Sequence, residues 1–515
     1  MYGLTNALVN VGYEYLSCDQ IIWETKRVQI RANDLPITEV GGLFNLDIHH
    51  RYNLQQGVLQ KGNGENLYLN QLNPMMIGTI LGDGTQRPLH CTYCNGDLNL
   101  SHTYSDQNNN YQNEAHKRLL APVALAASND GCIFVGDFNL IRKINLRTGK
   151  ITTIIELNSS QVAYKYHLTV SPADNRLYFS DPEKYQIFVA RSTFLDEPNG
   201  EDEPDPRENL ELVAGNGIKC LPGDKHHCGD RKPAKQARLS YPKALAINLM
   251  NEMFIADGTN IRYIDTHGII YTLIGDHYAK SHWRPFPCNA NAQPLMKISM
   301  RWPTELAINP VDNQLYILDD HMVFKLTNDR RLQIVAGKPT HCAKQSDLDG
   351  QFENAIDLRN DQFNLSSFAP SSAGANSQPA NSNWMPANSI YLETPQAISF
   401  TSQGNLLIAE SDSQNVNRVR IVLNHRNHQL IGDYVGRHQS SCNCMEMNCD
   451  CFDRELNVAS NAKLSTISAI TVTPNGDLII ADQGKSRHLA SSLLALLSKL
   501  HHLSFLEQAT CVYVV

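Results

Sequence analysis

No stretch of about 18 uncharged apolar residues, the length a membrane-spanning helix requires, occurs in this 515-residue chain. The nearest approach, Leu489 to Leu506, is interrupted by Lys499, His501 and His502. Met1 opens onto neither the basic nor the apolar region of a signal peptide, so any link to a membrane is expected from sequence not present here. Charge is sparse, at 19%, and slightly acidic, with 44 Lys+Arg against 52 Asp+Glu. A polybasic nucleic-acid surface is therefore not expected. Missing as well are the G-x-S-x-G elbow, the H-E-x-x-H zinc pair and the G-x-x-x-x-G-K-[ST] phosphate loop. KGNGEN (Lys61 to Asn66) is glycine-rich, but no amphipathic helix follows to aim its N-terminus at a phosphate, and it reads as a turn. What remains is 42% hydrophobic, enough for two or three domains and a large core.

Cysteines number 13, of which 11 lie between Cys91 and Cys451. Most sit in polar, turn-like stretches: CTYC (Cys91, Cys94), the LPGDKHH segment between Cys220 and Cys228, FPCNA (Cys288), THCAK (Cys342), and CNCMEMNCDC (Cys442, Cys444, Cys449, Cys451). Loop cysteines of this kind read as disulfide staples of an oxidising compartment. For the last group a zinc or metallothionein-like cluster is the competing reading, although C-x-C-x4-C-x-C departs from paired C-x2-C knuckles. Sequons at Asn99, Asn158 and Asn364 fit a secreted glycoprotein. Adjacent histidines at 49–50 and 226–227 point to opposite faces if on a strand, which disfavours a shared metal ion.

Internal repetition organises the chain. Short runs ending in an acid recur as VGD (Asp137), FSD (Asp181), IAD (Asp257), ILD (Asp319), IAE (Glu410) and IAD (Asp482). An apolar alternation precedes each across turn residues such as Asn129-Asp130-Gly131, Asp312-Asn313, Gln403-Gly404 and Asn475-Gly476. A third run follows most acids (Ile141 to Ile144, Ile261 to Ile264, Val323 to Leu326), and a fourth ends near glycine (Leu212 to Gly215, Ile334 to Gly337). Four short strands per unit predict an all-β, six-bladed β-propeller. The repeats are unevenly spaced, so the blades differ in their insertions, among them the acidic Leu195 to Glu208 and the Ser/Asn/Ala/Pro-rich Ser366 to Asn388. Residues 1–80 read as a separate small β module, with strand-like pieces at Val28-Gln29-Ile30 and Leu67-Tyr68-Leu69.

The strings YGLTNALVNVGYEY (Tyr2 to Tyr15), HHRYNLQQGVLQKGNGEN (His49 to Asn66), LLAPVALA (Leu119 to Ala126), VGDFNLIRKI (Val135 to Ile144), VAGNGIKCLPGDKHHCGD (Val213 to Asp230) and CNCMEMNCDC closely resemble the teneurins, type II cell-surface adhesion proteins. The resemblance runs from about Tyr2 to Gly484 and implies a fibronectin-like plug over 1–80 and an NHL-type propeller over 81–484. It implies homophilic recognition between cells in neuronal development, on the extracellular face of the plasma membrane. Latrophilin-type receptors are family partners whose contacts are expected mostly on regions absent here, as the EGF-like repeats are. After Gly484 the resemblance stops, and 485–515 reads as a divergent tail, helical or disordered, leaving the last blade with about half its strands. The disulfide pairings expected are Cys220 with Cys228 and Cys288 with Cys342.

Two classes of function compete. A ring of six acids around the channel suggests a cation site or acid/base pairs, and hence a hydrolase or lyase. Recurrence in every unit suggests instead a structural task, accepting backbone N–H groups at the turn after the second strand. A catalytic pair would occur once. The expectation is a non-enzymatic protein-recognition module without cofactor or metal; RNA binding, a third idea, lacks an electropositive face.

Overall fold

In this computed structural model the structure describes residues 7–16, 21–30, 58–60, 66–68, 76–82, 118–146, 151–158, 165–192, 205–277, 284–288, 292–342, 384–412, 416–425, 428–436, 457–462, 464–483 and 511–514. These are strands and turns, with helix confined to single 3-10 turns such as Ala234–Gln236. The all-β expectation and the β-propeller arrangement hold.

Six antiparallel sheets of four or five strands dominate the described residues. Their innermost strands are Pro122–Ala127, Leu168–Val170, Pro242–Ile247, Pro303–Ile308, Pro395–Phe400 and Ile467–Val472. Each touches the next, and the sixth touches the first, so the ring closes. Hydrophobic packing follows the same circuit. Phe134 and Ile154 of the first sheet pack with Leu177 and Phe179 of the second; Ile187 packs with Ile255 and Ile270; Phe254 packs with Ile317 and Phe324. Leu318 meets Ile408 and Ile431, Leu407 meets Ile480, and Ile133 meets Ile479 and Leu81. Each seam buries one face of two neighbouring sheets, which is why the second strands read as near-continuous apolar runs.

Turns at the end of the innermost strands also link neighbours. The left-handed position is glycine at Gly131, Gly404 and Gly476 but asparagine at Asn175, Asn251 and Asn313, the non-glycine residue that best tolerates it. Asn175 Oδ1 accepts the Asn129 N–H of the preceding sheet at 2.9 Å, and Asn313 Oδ1 accepts that of Leu249 at 3.1 Å.

The sixth sheet corrects the expectation of a half-built blade. Its strand order places Cys511–Val514 beside Leu478–Asp482, then Met76–Leu81, then Asn457–Val458. An open strand edge leaves N–H and C=O groups without partners, and here two segments far apart in sequence supply them. The boundary expected after residue 80 thus runs through a strand of the ring. Ile77 and Leu81 are buried there. Upstream, Ala7–Leu16 pairs with Ile21–Ile30 and Val58–Gln60 with Asn66–Tyr68. The tail expected to be helical or disordered lies, save 511–514, outside the described residues.

Candidate functional site

The six acids are spent on the scaffold, though not at the place the sequence suggests. Asp137 Oδ1 accepts the backbone N–H groups of Leu120 (2.6 Å) and Ala121 (2.9 Å). Asp257 Oδ1 accepts those of Ser240 and Tyr241, both at 2.7 Å. Asp319 takes Arg301 and Trp302, Glu410 takes Glu393, and Asp482 takes Ser465 and Thr466. The donors lie just before the innermost strand, 16 to 18 residues upstream of the acid, and not at the turn after the second strand. Four of those innermost strands open with proline, which breaks the ladder because it has no N–H. The acid supplies acceptors that the bulged ladder there does not. Only Asp181 serves its own turn, accepting Glu183 and Lys184 N–H groups at 3.2 and 3.0 Å.

Buried arginines face several of these carboxylates. Arg262 lies 3.7 Å from Asp257, with both side chains fully buried, and its other nitrogen reaches Asp230 at 2.7 Å. Arg142 stands 3.9 Å from Asp137, and Arg418 Nε donates to Glu410 at 2.7 Å. Burial pushes the Asp257 and Asp319 carboxyls above the ordinary range, against the lowering effects of Arg262 on the first and of the Arg301 and Trp302 N–H groups on the second. Between these two acids sits Lys243, whose ammonium donates to the Gly258 carbonyl at 2.9 Å and lies 3.4 Å from the centroid of the Trp302 ring. Burial pushes its pKa down to about 7, with Asp319 and Asp257 opposing.

Cys220 is bonded to Cys228 and Cys288 to Cys342, each pair with Cα atoms 5.5 Å apart. The first staples the loop between the second and third sheets; the second ties the two ends of the fourth. Cys132, buried in a strand, is disulfide-bonded as well. Among the described residues, two groupings of metal-binding types occur, Cys220/Cys228/His277 and Cys288/His341/Cys342. Both sulfurs of each are committed to a disulfide. His226 and His227 are exposed, as is Asn158, the described sequon. Cys91, Cys94, Cys442, Cys444, Cys449, Cys451, Asn99, Asn364 and the 49–50 histidines lie outside the described residues.

The sequence reading missed the hub. The innermost strands surround a cavity of about 440 Å³. Into its wall come Lys165 and His167, just ahead of the second sheet's innermost strand, and Glu305 from the fourth. His167 Nε2 lies 2.5 Å from Glu305 Oε1, and the Leu245 N–H of the third sheet donates to His167 Nδ1 at 3.3 Å. An Nδ1 that accepts assigns the proton to Nε2, which donates to the carboxylate. Glu305 Oε1 also accepts the Leu306 N–H at 3.3 Å. Lys165 Nζ donates to the Gln396 carbonyl of the fifth sheet at 3.4 Å. Burial lowers its pKa while the Glu305 charge opposes. One signal was available: Glu305 is the one acid within the six innermost strands, so PTELAI stands out against PVALAA, PKALAI and PQAISF.

The Teneurin NHL domain family matches residues 74–373 and 369–492. Teneurin-m of Drosophila melanogaster is 44% identical over 487 residues, covering 95% of this chain and 16% of that protein. Human Teneurin-1 is 35% identical over 489 residues, with the same coverage. The chain therefore spans about one sixth of the length of these relatives. A solved protein of unknown function from Bacteroides thetaiotaomicron is similar at 11% identity and a TM-score of 0.47, covering 85% of this chain and 75% of that one. Among the described residues no helix is long and apolar enough to cross a membrane.

Proposed function

This chain belongs to the teneurin family, and from that premise we propose that it is the NHL recognition module of a cell-surface adhesion protein, acting through protein contacts and not through catalysis. Its six sheets are the six blades of that module, and the paired strands upstream belong to a fibronectin-like plug. The partner is a second teneurin on an opposed cell, met on the extracellular face during neuronal development. A latrophilin-type receptor is a partner of the longer parent.

The observation that carries this reading is the use of the repeated acids. Every blade spends its carboxylate on backbone N–H groups, so the repeat builds a frame and the dissimilar insertions are left for recognition. A rigid frame holds such loops in place and limits the entropy lost on docking. The rival, a hydrolase or lyase working at the hub, draws on the His167–Glu305 pair. In its favour is the pair's seat in the wall of the hub cavity. Against it, both ring nitrogens of His167 are engaged, by the Leu245 N–H and by Glu305, so this imidazole is not free to act as a base.

Bead aggregation tests the proposal. Fluorescent beads coated with the full chain are expected to cluster with one another, and uncoated beads to stay dispersed. Beads that remain single at every coating density, alone and mixed with beads bearing the complete family ectodomain, overturn it.

A further inference from the structure

Beyond recognition by the loops, the hub has the makings of a ligand site. Its volume, about 440 Å³, falls within the range of small-molecule pockets. Its middle is apolar, walled by Val123, Leu125, Ala246, Leu306, Ile398 and Ile470. Its two ends differ. Lys165, His167 and Glu305 gather where the innermost strands begin, while Asn129 and Asn313 stand in the turns where they finish. The channel therefore offers charge at one end, amides at the other and hydrocarbon between.

The charged end is unequally satisfied. Glu305 already accepts from His167 Nε2 and the Leu306 N–H, and His167 is engaged at both nitrogens. Lys165 has three N–H groups and, among the described residues, a single hydrogen bond, the 3.4 Å contact to the Gln396 carbonyl. Lys165 is half-buried, and an ammonium partly withdrawn from water gains from a compensating partner; a neutral carbonyl at that distance is a weak one.

We propose that the central channel binds a small monocarboxylate with a short apolar body, its carboxylate paired with Lys165 and its hydrocarbon laid along the apolar wall. Neither an amine nor a neutral alcohol meets the same need. An amine would have to take Glu305 from His167 and the Leu306 N–H beside the Lys165 ammonium, and an alcohol brings no charge. This site is independent of the loop surfaces invoked for adhesion, so its failure leaves that reading untouched.

Calorimetric titration of the whole chain with hexanoate, hexylamine and hexanol tests the proposal. Hexanoate is expected to bind saturably at one site per chain, and the other two at least about tenfold more weakly. Lys165→Met is expected to weaken hexanoate by about tenfold or more, whereas Lys235→Met, at an exposed lysine, leaves it unchanged. A second readout needs no variant. Burial holds the Lys165 pKa low in the free protein, and an incoming carboxylate raises it, so binding takes up protons. The heat should then vary with the ionisation enthalpy of the buffer. The other ionisable groups lining the channel are Tyr166, His167 and Glu305; Glu305→Gln is expected to keep the proton uptake, which assigns it to Lys165. Equal binding of hexylamine, absence of saturation, or hexanoate binding without proton uptake and unaffected by Lys165→Met overturns the proposal.

Discussion

At the scale of single residues, the carboxylates are not equivalent, and the difference is measurable. Asp257 is fully buried, accepts two N–H groups and faces Arg262, itself fully buried. Replacing it by alanine leaves those donors unpaired and Arg262 with Asp230 as its remaining acid. A loss of about 3 kcal/mol is expected, the cost of breaking a buried pair. Asp181 bonds the N–H groups of Glu183 and Lys184, whose residues reach solvent, so water takes its place and Asp181→Ala should cost about 1 kcal/mol. Urea unfolding of the two variants checks the order, and an equal loss would contradict it. Lys243 supplies a pH dependence. With its pKa down at about 7 when folded against 10.5 as the ordinary value, the chain binds fewer protons folded than unfolded across that interval. Stability from this group is therefore depressed below about pH 7 and recovers as pH rises toward about 10. Relative to Lys243→Met, the wild type should gain on the order of 2–4 kcal/mol over that climb, read from denaturant midpoints at both ends. A wild-type stability that falls relative to Lys243→Met as the pH rises would reverse the sign and refute it.

At the scale of strands and turns, legibility in the sequence followed from repetition. The second strands were plain because burial on both faces makes them apolar and each closes on an acid, as Met253–Asp257 and Leu315–Asp319 do. Their turns were plain because Gly131, Gly404 and Gly476 take positive φ. The destination of the acid was not, since its donors lie 16 to 18 residues back and nothing local distinguishes them from the turn. Outermost strands such as Lys232–Pro233 and Met385–Pro386 have two residues each, too few to show a period of two. Gly136 was legible as part of VGD but its reason was not: a Cβ there would come within 2.6 Å of the Tyr166 ring in the neighbouring sheet. That ring, whose hydroxyl donates to the Phe138 carbonyl at 2.7 Å, occupies the space that a side chain has at the same point in the other second strands. The hub escaped for the opposite reason to the strands. Lys165, His167 and Glu305 each occur once, and only closure of the ring brings residue 305 against residue 167.

For the molecule as a whole, closure is the property most exposed to a single failure. Six seams share the apolar burial, and the one between the sixth and first sheets depends on Met76–Leu81, the one strand of the ring drawn from ahead of the first repeat. Leu81 packs there with Ile133 and Ile479, while Ile77 packs on the fifth-sheet side with Leu407 and Ile480. Because successive residues of a strand face opposite ways, side chains four apart would share a face in a regular strand; the register shift where this strand pairs with Cys511–Val514 accounts for their serving different seams. Ile77→Asp together with Leu81→Asp therefore damages two seams at once, whereas the same pair of charges on one seam would damage one. Burying two unpaired carboxylates costs more than the marginal stability of a typical domain tolerates, so the strand is expected to detach. The free edge of the sixth sheet is then a template for a second chain. Size-exclusion chromatography should find the double variant in oligomers or aggregates, and limited proteolysis should cut it ahead of Leu119 faster than the wild type. Two aspartates placed instead at the exposed Leu249 and Met250 should leave both measurements unchanged. A monomeric, protease-resistant double variant would mean that the ring closes without this strand.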